Sequence, residues 1–357
     1  MKNTLLIVTL IILGFASCKK SNTKNQEINI SFPFKNANIE MTVASENMPN
    51  NIWDIHFFNE TTGIAMTYDG KVYKTTDKGI SWTLKFTNTN IDQPFYKIFF
   101  KDQNTGFIIG GSQGCSGTGC TPAGGIVIKT IDAGETWNIV YQVAGSIEFK
   151  SIAENTNGDL YMIQKGFLPN TNVQTTILKS TDEGLTWAIN STHSLDAYKI
   201  YFNNNIGYIT GGVGDATIIR SIDNGSTWTD TKKFTGNWAG AISSFNNSTY
   251  CIVDGINLYK SIDNGNTWQL AYQNKNYSSN IINALTDKSC LLWGSGEYTG
   301  GCFGYSYGAF RQSIDGGNNW TDNQLKEIGN INTTSFYNST EGYILSGKLI
   351  KVKTNPE

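Results

Sequence analysis

Along most of the chain, hydrophobic and polar positions alternate in short runs separated by turns rich in Gly, Asn and Asp. This is the pattern of half-buried strands. The stretch from Gly240 shows the plan: Gly240 to Phe245, Ser248 to Val253, Asn257 to Lys260 and Trp268 to Tyr272 form four short strands in a meander. Equivalent first strands occur at Trp53 to Phe58, Phe95 to Phe100, Ile147 to Ile152, Tyr198 to Phe202 and Asn280 to Leu285.

Each of these units carries the same turn between its third and fourth strands. The copies are Thr75 to Trp82, Thr130 to Trp137, Ser180 to Trp187, Ser221 to Trp228, Ser261 to Trp268 and Ser313 to Trp320, all Ser/Thr-x-Asp-x-Gly-x-x-Trp. The Asp of each copy (Asp77, Asp132, Asp182, Asp223, Asp263, Asp315) is placed to accept amide hydrogens inside its own turn. The Gly (Gly79, Gly134, Gly184, Gly225, Gly265, Gly317) permits positive φ. The Trp (Trp82, Trp137, Trp187, Trp228, Trp268, Trp320) opens the next strand as a bulky anchor. A site is rarely built six times around one chain, so these residues are expected to hold the fold and not to perform catalysis.

The boxes recur at a spacing that fits propeller blades. A further unit starts at Ile331 and stops at Lys353 without a box or a fourth strand. Residues 28–45, with Ile39 to Val43, can supply that strand. The expectation is therefore an all-β, seven-bladed propeller of four-stranded antiparallel blades, closed by the N-terminal strand and leaving no open sheet edge. One domain spans 28–357, since no linker interrupts it.

These boxes resemble the Asp-box, or bacterial neuraminidase repeat, family, whose members include sialidases, sortilin-type receptors and the photosystem II assembly factor. The resemblance covers nearly all of the chain after its leader and implies a propeller without implying an activity. It also implies that the boxes lie on the face opposite the usual active site. Sialidases grip a carboxylate with three arginines, whereas this chain has two, Arg220 and Arg311, each just ahead of a box where other copies carry Lys. A non-catalytic scaffold, like the assembly factor, is the nearer expectation, with enzyme activity left open.

Met1-Lys2-Asn3, an apolar run to Phe15 and Ala16-Ser17-Cys18 read as a signal peptide over 1–17, too short to span a bilayer. The ending resembles a bacterial lipobox, which implies a lipid on Cys18, a polar tether over 18–27 and attachment to a membrane of the cell envelope; ordinary secretion is the alternative. Which side the protein faces stays open, and a monomer is expected. Net charge is −2 with 16% charged residues, giving no basic bias for nucleic acid.

Export permits disulfides. Cys115 and Cys120 share a glycine-rich loop, Cys290 and Cys302 bracket another, and Cys251 is left as a buried thiol. With only His56 and His193, neither at ligand spacing from a cysteine, no metal or other cofactor is expected.

Candidate binding residues fall on the face opposite the boxes. Long insertions occur at 110–125, 166–175 and 294–308, the last carrying Tyr298, Phe303, Tyr305 and Tyr307, suited to a protein or glycan surface or simply to packing on the rim. Aligned first strands place Lys97, Lys150 and Lys199 at one depth, with Asp54 and Asn283 at the equivalent position. This predicts either an anion site in a central funnel or lysines solvated in a wet channel. Asp54, Glu148, Asp196 and Glu297 are near that face, but no pair is set apart by spacing as a glycoside acid and base.

Overall fold

The computed structural model describes residues 39–90, 93–111, 124–166, 174–273, 278–296, 307–325 and 328–354. Among them every regular element is a strand, and the architecture is a β-propeller of four-stranded antiparallel meanders. The second strand of each meander has neighbours on both faces, which is why Gly63–Thr67 and Gly106–Gly111 are buried at every position and read as continuous apolar runs. Outer strands such as Thr83–Thr87 and Gln269–Gln273 have no fully buried residue.

Five four-stranded sheets stand separately: 52–87, 197–234, 239–273, 278–325, and a closing sheet in which Ile39–Ser45 pairs with Leu349–Thr354. Ile39 lies opposite Thr354 and Val43 opposite Ile350, so the N-terminal strand does complete the last meander. The meanders 95–143 and 147–193 depart from the expected separate blades. They share one eight-stranded sheet, joined at the single pair Glu148 and Gly111. Gly111 permits this because it has no side chain: a Cβ there would lie 2.4 Å from the Ile147 carbonyl oxygen and 2.9 Å from the Glu148 Cα.

The core lies between neighbouring meanders. Ile64 and Met66 of one pack with Ile98, Ile108 and Trp137 of the next, and Tyr161 and Ile163 pack with Ile200, Ile209 and Trp228. The box turns are joints in this packing. In the first, Asp77 Oδ1 accepts from Ser81 N at 2.9 Å and Thr75 Oγ1 at 2.8 Å, while the Thr75 hydroxyl accepts from Gly79 N at 3.0 Å. The same bonds recur around Asp132, Asp182, Asp223, Asp263 and Asp315. All six glycines adopt positive φ, from 78° at Gly265 to 88° at Gly225.

Each of these glycines also abuts the preceding meander. A Cβ at Gly79 would meet Leu349 at 2.4 Å, one at Gly134 would meet Ile64 at 2.4 Å, and one at Gly265 would meet Tyr208 at 2.6 Å. Trp82, Trp187, Trp268 and Trp320 then donate Nε1 to the carbonyl of their own box glycine, closing the turn beneath the ring. Arg220 and Arg311 serve the same framework. Arg220 donates to the Asn264 carbonyl of the next box at 2.8 Å, and Arg311, 1% exposed, pairs with Asp322 and Ser279.

One cysteine expectation is corrected. Cys290 is a free, buried thiol, like Cys251. It opens the strand Cys290–Ser295 opposite Ser313 at the box end, whereas the loop that holds Cys302 leaves from the other end of that strand. Cys115, Cys120 and Cys302 lie outside the described residues, as do 1–38 with Cys18.

Candidate functional site

The first strands of the meanders stand side by side around a central funnel. Every box packs beside the hairpin that joins its meander's first two strands; Lys78 N, for example, donates to the Thr61 carbonyl and Ala133 N to that of Asn104. Boxes therefore mark one end of the funnel, and its mouth opens at the other.

At the mouth the first strands share a local feature. Their pairing slips by one residue between Ile52 and Asp54, Phe95 and Lys97, Phe149 and Ser151, Ala197 and Lys199, and Ser279 and Ile281. The bulged residues are Trp53, Tyr96, Lys150, Tyr198 and Asn280. A bulge re-aims its side chain, and all five line one open cavity of about 590 Å³.

This register corrects the alignment of the lysines. Lys97 and Lys199 share a level just past their bulges, with Asp54 and Ser151 as counterparts. Lys150 is itself the bulged residue, one step nearer the mouth, at the level of Tyr96 and Tyr198. Asn283 lies two residues beyond Ile281, which holds the equivalent position, and accepts from Trp293 Nε1 at 2.9 Å and Thr334 at 3.1 Å.

The three lysines have different partners. Lys97 Nζ donates to Asp54 Oδ2 at 2.7 Å. Lys150 Nζ lies 3.0 Å from Glu148 Oε2 and 4.1 Å from the centre of the Tyr96 ring. Lys199 Nζ donates to the Ile242 carbonyl at 2.9 Å. Burial lowers the pKa of Lys199 to about 8, helped by the like charge of Lys97. Burial also pulls Lys150 below the ordinary lysine value, against the Glu148 charge that favours its ammonium form. Tyr96 is pushed up by burial and by Glu148.

Asp54 is 4% exposed and fully engaged. Its Oδ1 accepts from Ile55 N and Thr333 Oγ1, and its Oδ2 from Lys97 Nζ and Ile98 N. It is thereby a joint between the first, second and last meanders. Asp196 is held by Lys165, whose Nζ stands 4.7 Å above the Tyr198 ring, and accepts from the Tyr198 hydroxyl at 3.1 Å. Glu297 lies outside the described residues. Among those described, no group of three or more His, Cys, Asp or Glu side chains is arranged to hold a metal ion.

Aromatic rings form the rim. Trp53 and Tyr68, 50% and 45% exposed, have centroids 5.3 Å apart, Tyr68 and Tyr96 are 6.0 Å apart, and Tyr198 stands 6.0 Å from Trp238. Sequence reasoning passed over these rings. Their signal was the aromatic residue before a charged one in Trp53-Asp54, Tyr96-Lys97 and Tyr198-Lys199. Of the other expected aromatic set, Tyr298, Phe303 and Tyr305 lie outside the described residues. Tyr307 is half-buried, its carbonyl accepting from Gly296 N at 2.5 Å.

No family model matches the chain, and neither does any curated protein. Solved structures do. A structure described as YCF48 bound to D1 peptide has a TM-score of 0.65 at 18% identity, covering 92% of this chain and 99% of that one. YCF48 from Cyanidioschyzon merolae follows with a TM-score of 0.60 at 14% identity, over 88% and 98%. A xyloglucanase from Xanthomonas campestris gives 0.64 at 11% identity; 89% of this chain matches 54% of that enzyme, so the chain spans about half its length. The chain has the β-propeller fold, and at these identities the likeness carries the fold alone.

Proposed function

We propose that this chain is a non-catalytic envelope lipoprotein, anchored through Cys18, whose seven-bladed Asp-box propeller binds a protein partner at the funnel mouth. The count of seven takes the eight-stranded sheet as two blades, because each half is a complete meander with its own box and one residue pair joins them. The observation that carries the binding reading is the mouth itself. Bulges in five first strands aim Trp53, Tyr96, Lys150, Tyr198 and Asn280 into one open cavity, and three of the five are the large aromatic residues enriched at interaction surfaces. Asp54 and Asp196 are bonded to lysines, amides and hydroxyls and Glu148 stands 3.0 Å from Lys150, so among the described residues no carboxylate pair is set apart as acid and base. A similar fold solved with a peptide bound is consistent with this use of a propeller.

A pull-down from envelope extract tests the proposal, with wild type against the Lys97→Met, Lys150→Met, Lys199→Met triple variant. A partner held by wild type and lost from the variant is the expected result. The same partner retained by both would remove the mouth from the account. Specific oligosaccharide binding or hydrolysis on a glycan array would replace this reading with the glycan one, which the exposed Trp53 and Tyr68 rings favour.

A further inference from the structure

The box end of the propeller carries an ordered apolar surface. Every box turn displays one exposed branched aliphatic side chain: Ile80, Ile131, Leu185, Ile222, Ile262 and Ile314, from 45% exposed at Ile80 to 70% at Ile131. Their position within the box changes in a compensating way. Where the second residue is Thr, as at Thr76 and Thr181, the sixth is Ile80 or Leu185. Where the second residue is Ile, the sixth is polar, as at Glu135, Ser226, Asn266 and Asn318. The outer strands add Ile189 and Leu270, 71% and 51% exposed, just past the turns. Scattered single aliphatics are normal on a surface, but one in each of six successive box turns sets a ring of apolar side chains on a single end.

Two further observations say what covers it. Ile39 pairs with Thr354, whose amide donates to the Thr340 carbonyl in a turn on the box side, so the chain enters the propeller at this same end. The stretch from Cys18 to Ile39 leads there. Several lysines of this end are paired, Lys74 and Lys85 with Glu135 and Lys129 with Glu183, which lowers the positive charge the face offers to an acidic protein or nucleic acid. The box carboxylates are bonded within their own turns and need no outside partner.

We propose that this face rests on a lipid bilayer, the six aliphatic side chains inserting shallowly at its surface, so that the funnel mouth points away from the membrane. This extends the reading of the chain as membrane-attached, yet it does not depend on a lipid at Cys18. Binding is apolar, so neutral phosphatidylcholine suffices.

The test uses the chain from Cys18 onward, made without its leader so that no lipid is attached, in flotation with neutral phosphatidylcholine vesicles. The variant is Ile131→Thr, Ile222→Thr, Ile262→Thr. Threonine already occupies that position in two boxes, so the turns should persist, and an unchanged Tm checks this. Wild type is expected to float and the variant's partition coefficient to fall about tenfold. Equal flotation of both, or no flotation of wild type at any lipid concentration, overturns the proposal. So does a wild-type dimer in solution that the variant dissociates while neither floats, which would assign the face to a second copy. Because no lipid is attached and the funnel is untouched, failure here is distinct from failure of the anchor or of partner capture at the mouth.

Discussion

Thr333 Oγ1 donates to Asp54 Oδ1 at 2.6 Å, a bond between residues 279 positions apart. It fastens the closing meander to the first one, while the other oxygen of Asp54 holds Lys97 and Ile98 of the second. Replacing Thr333 by Val removes one donor and is expected to cost about 1–2 kcal/mol. Replacing Asp54 by Ala leaves Thr333, Lys97 and two amides without their acceptor and is expected to cost about 3–5 kcal/mol. Urea unfolding of both single variants and the double variant checks this. Additive costs would mean that the two side chains do not act together across the closure.

The box glycines carry two demands that can be separated. Gly265 has φ +78°, and a Cβ there would lie 2.6 Å from the Tyr208 ring; Gly145 has φ +104° with nothing within 4 Å of the added atom. Gly145→Ala is expected to cost about 1 kcal/mol of backbone strain. Gly265→Ala adds a clash in the joint between meanders and should cost about 2–4 kcal/mol. Matching losses in thermal unfolding would show that packing against Tyr208 is irrelevant to the box.

Acid should destabilise the protein in two windows. Burial lowers the pKa of His56 to about 4, and the Asp54 charge only partly offsets it. Between pH 6.5 and 4 the unfolded chain holds a proton on this ring that the folded chain refuses, so stability falls through that range by roughly 3 kcal/mol as pH drops. The ring stacks on Phe100 at 4.7 Å, so His56→Phe keeps the shape and should flatten this window. A second window opens lower. The side-chain hydrogen bond from Thr186 and the Thr267 amide are the leading causes that hold Asp182 and Asp263 at about 2. Their support is complete above pH 3.8 and lost as pH falls towards 2. Parallel urea midpoints for wild type and His56→Phe between pH 4 and 6.5 would exclude the first assignment.

The propeller was legible in the sequence because the box is self-contained: the residues that shape each turn lie within eight positions, and six copies repeat the signal. The site was only half legible. Lys97, Lys150 and Lys199 were found by aligning the first strands on their central apolar residue, an alignment that hid the slip at Lys150. A bulge is a backbone event with no residue type of its own, and Phe149-Lys150 looks like Tyr96-Lys97 although the pairing slips one residue later. The shared sheet of 95–143 and 147–193 was equally silent, since it depends on what approaches Gly111 from another meander. Cys290 was paired with Cys302 on sequence nearness, which ignores that the strand between Cys290 and the loop runs the length of the blade.

Lys199 offers the last test, of the funnel's electrostatics without any ligand. Its Nζ donates to the Ile242 carbonyl, and among the described residues no carboxylate forms an ion pair with it. Cys251 is the nearby thiol, and burial pushes its pKa up to about 12, so it stays neutral and supplies no counter-charge near pH 8. Desolvation therefore dominates, and the Lys97 ammonium adds repulsion. Between pH 8 and 10.5 the unfolded chain holds the proton longer than the folded one, so this group's penalty on stability is relieved as pH rises. Competitive acetylation with acetic anhydride, read lysine by lysine by mass spectrometry, should give Lys199 a midpoint near 8. In Lys97→Met the like charge is gone and Asp54 loses its cation, and both changes should move the Lys199 midpoint upward. A midpoint near 10.5 in wild type, or no shift in the variant, would show that Lys199 is solvated in the channel and not held in the funnel wall.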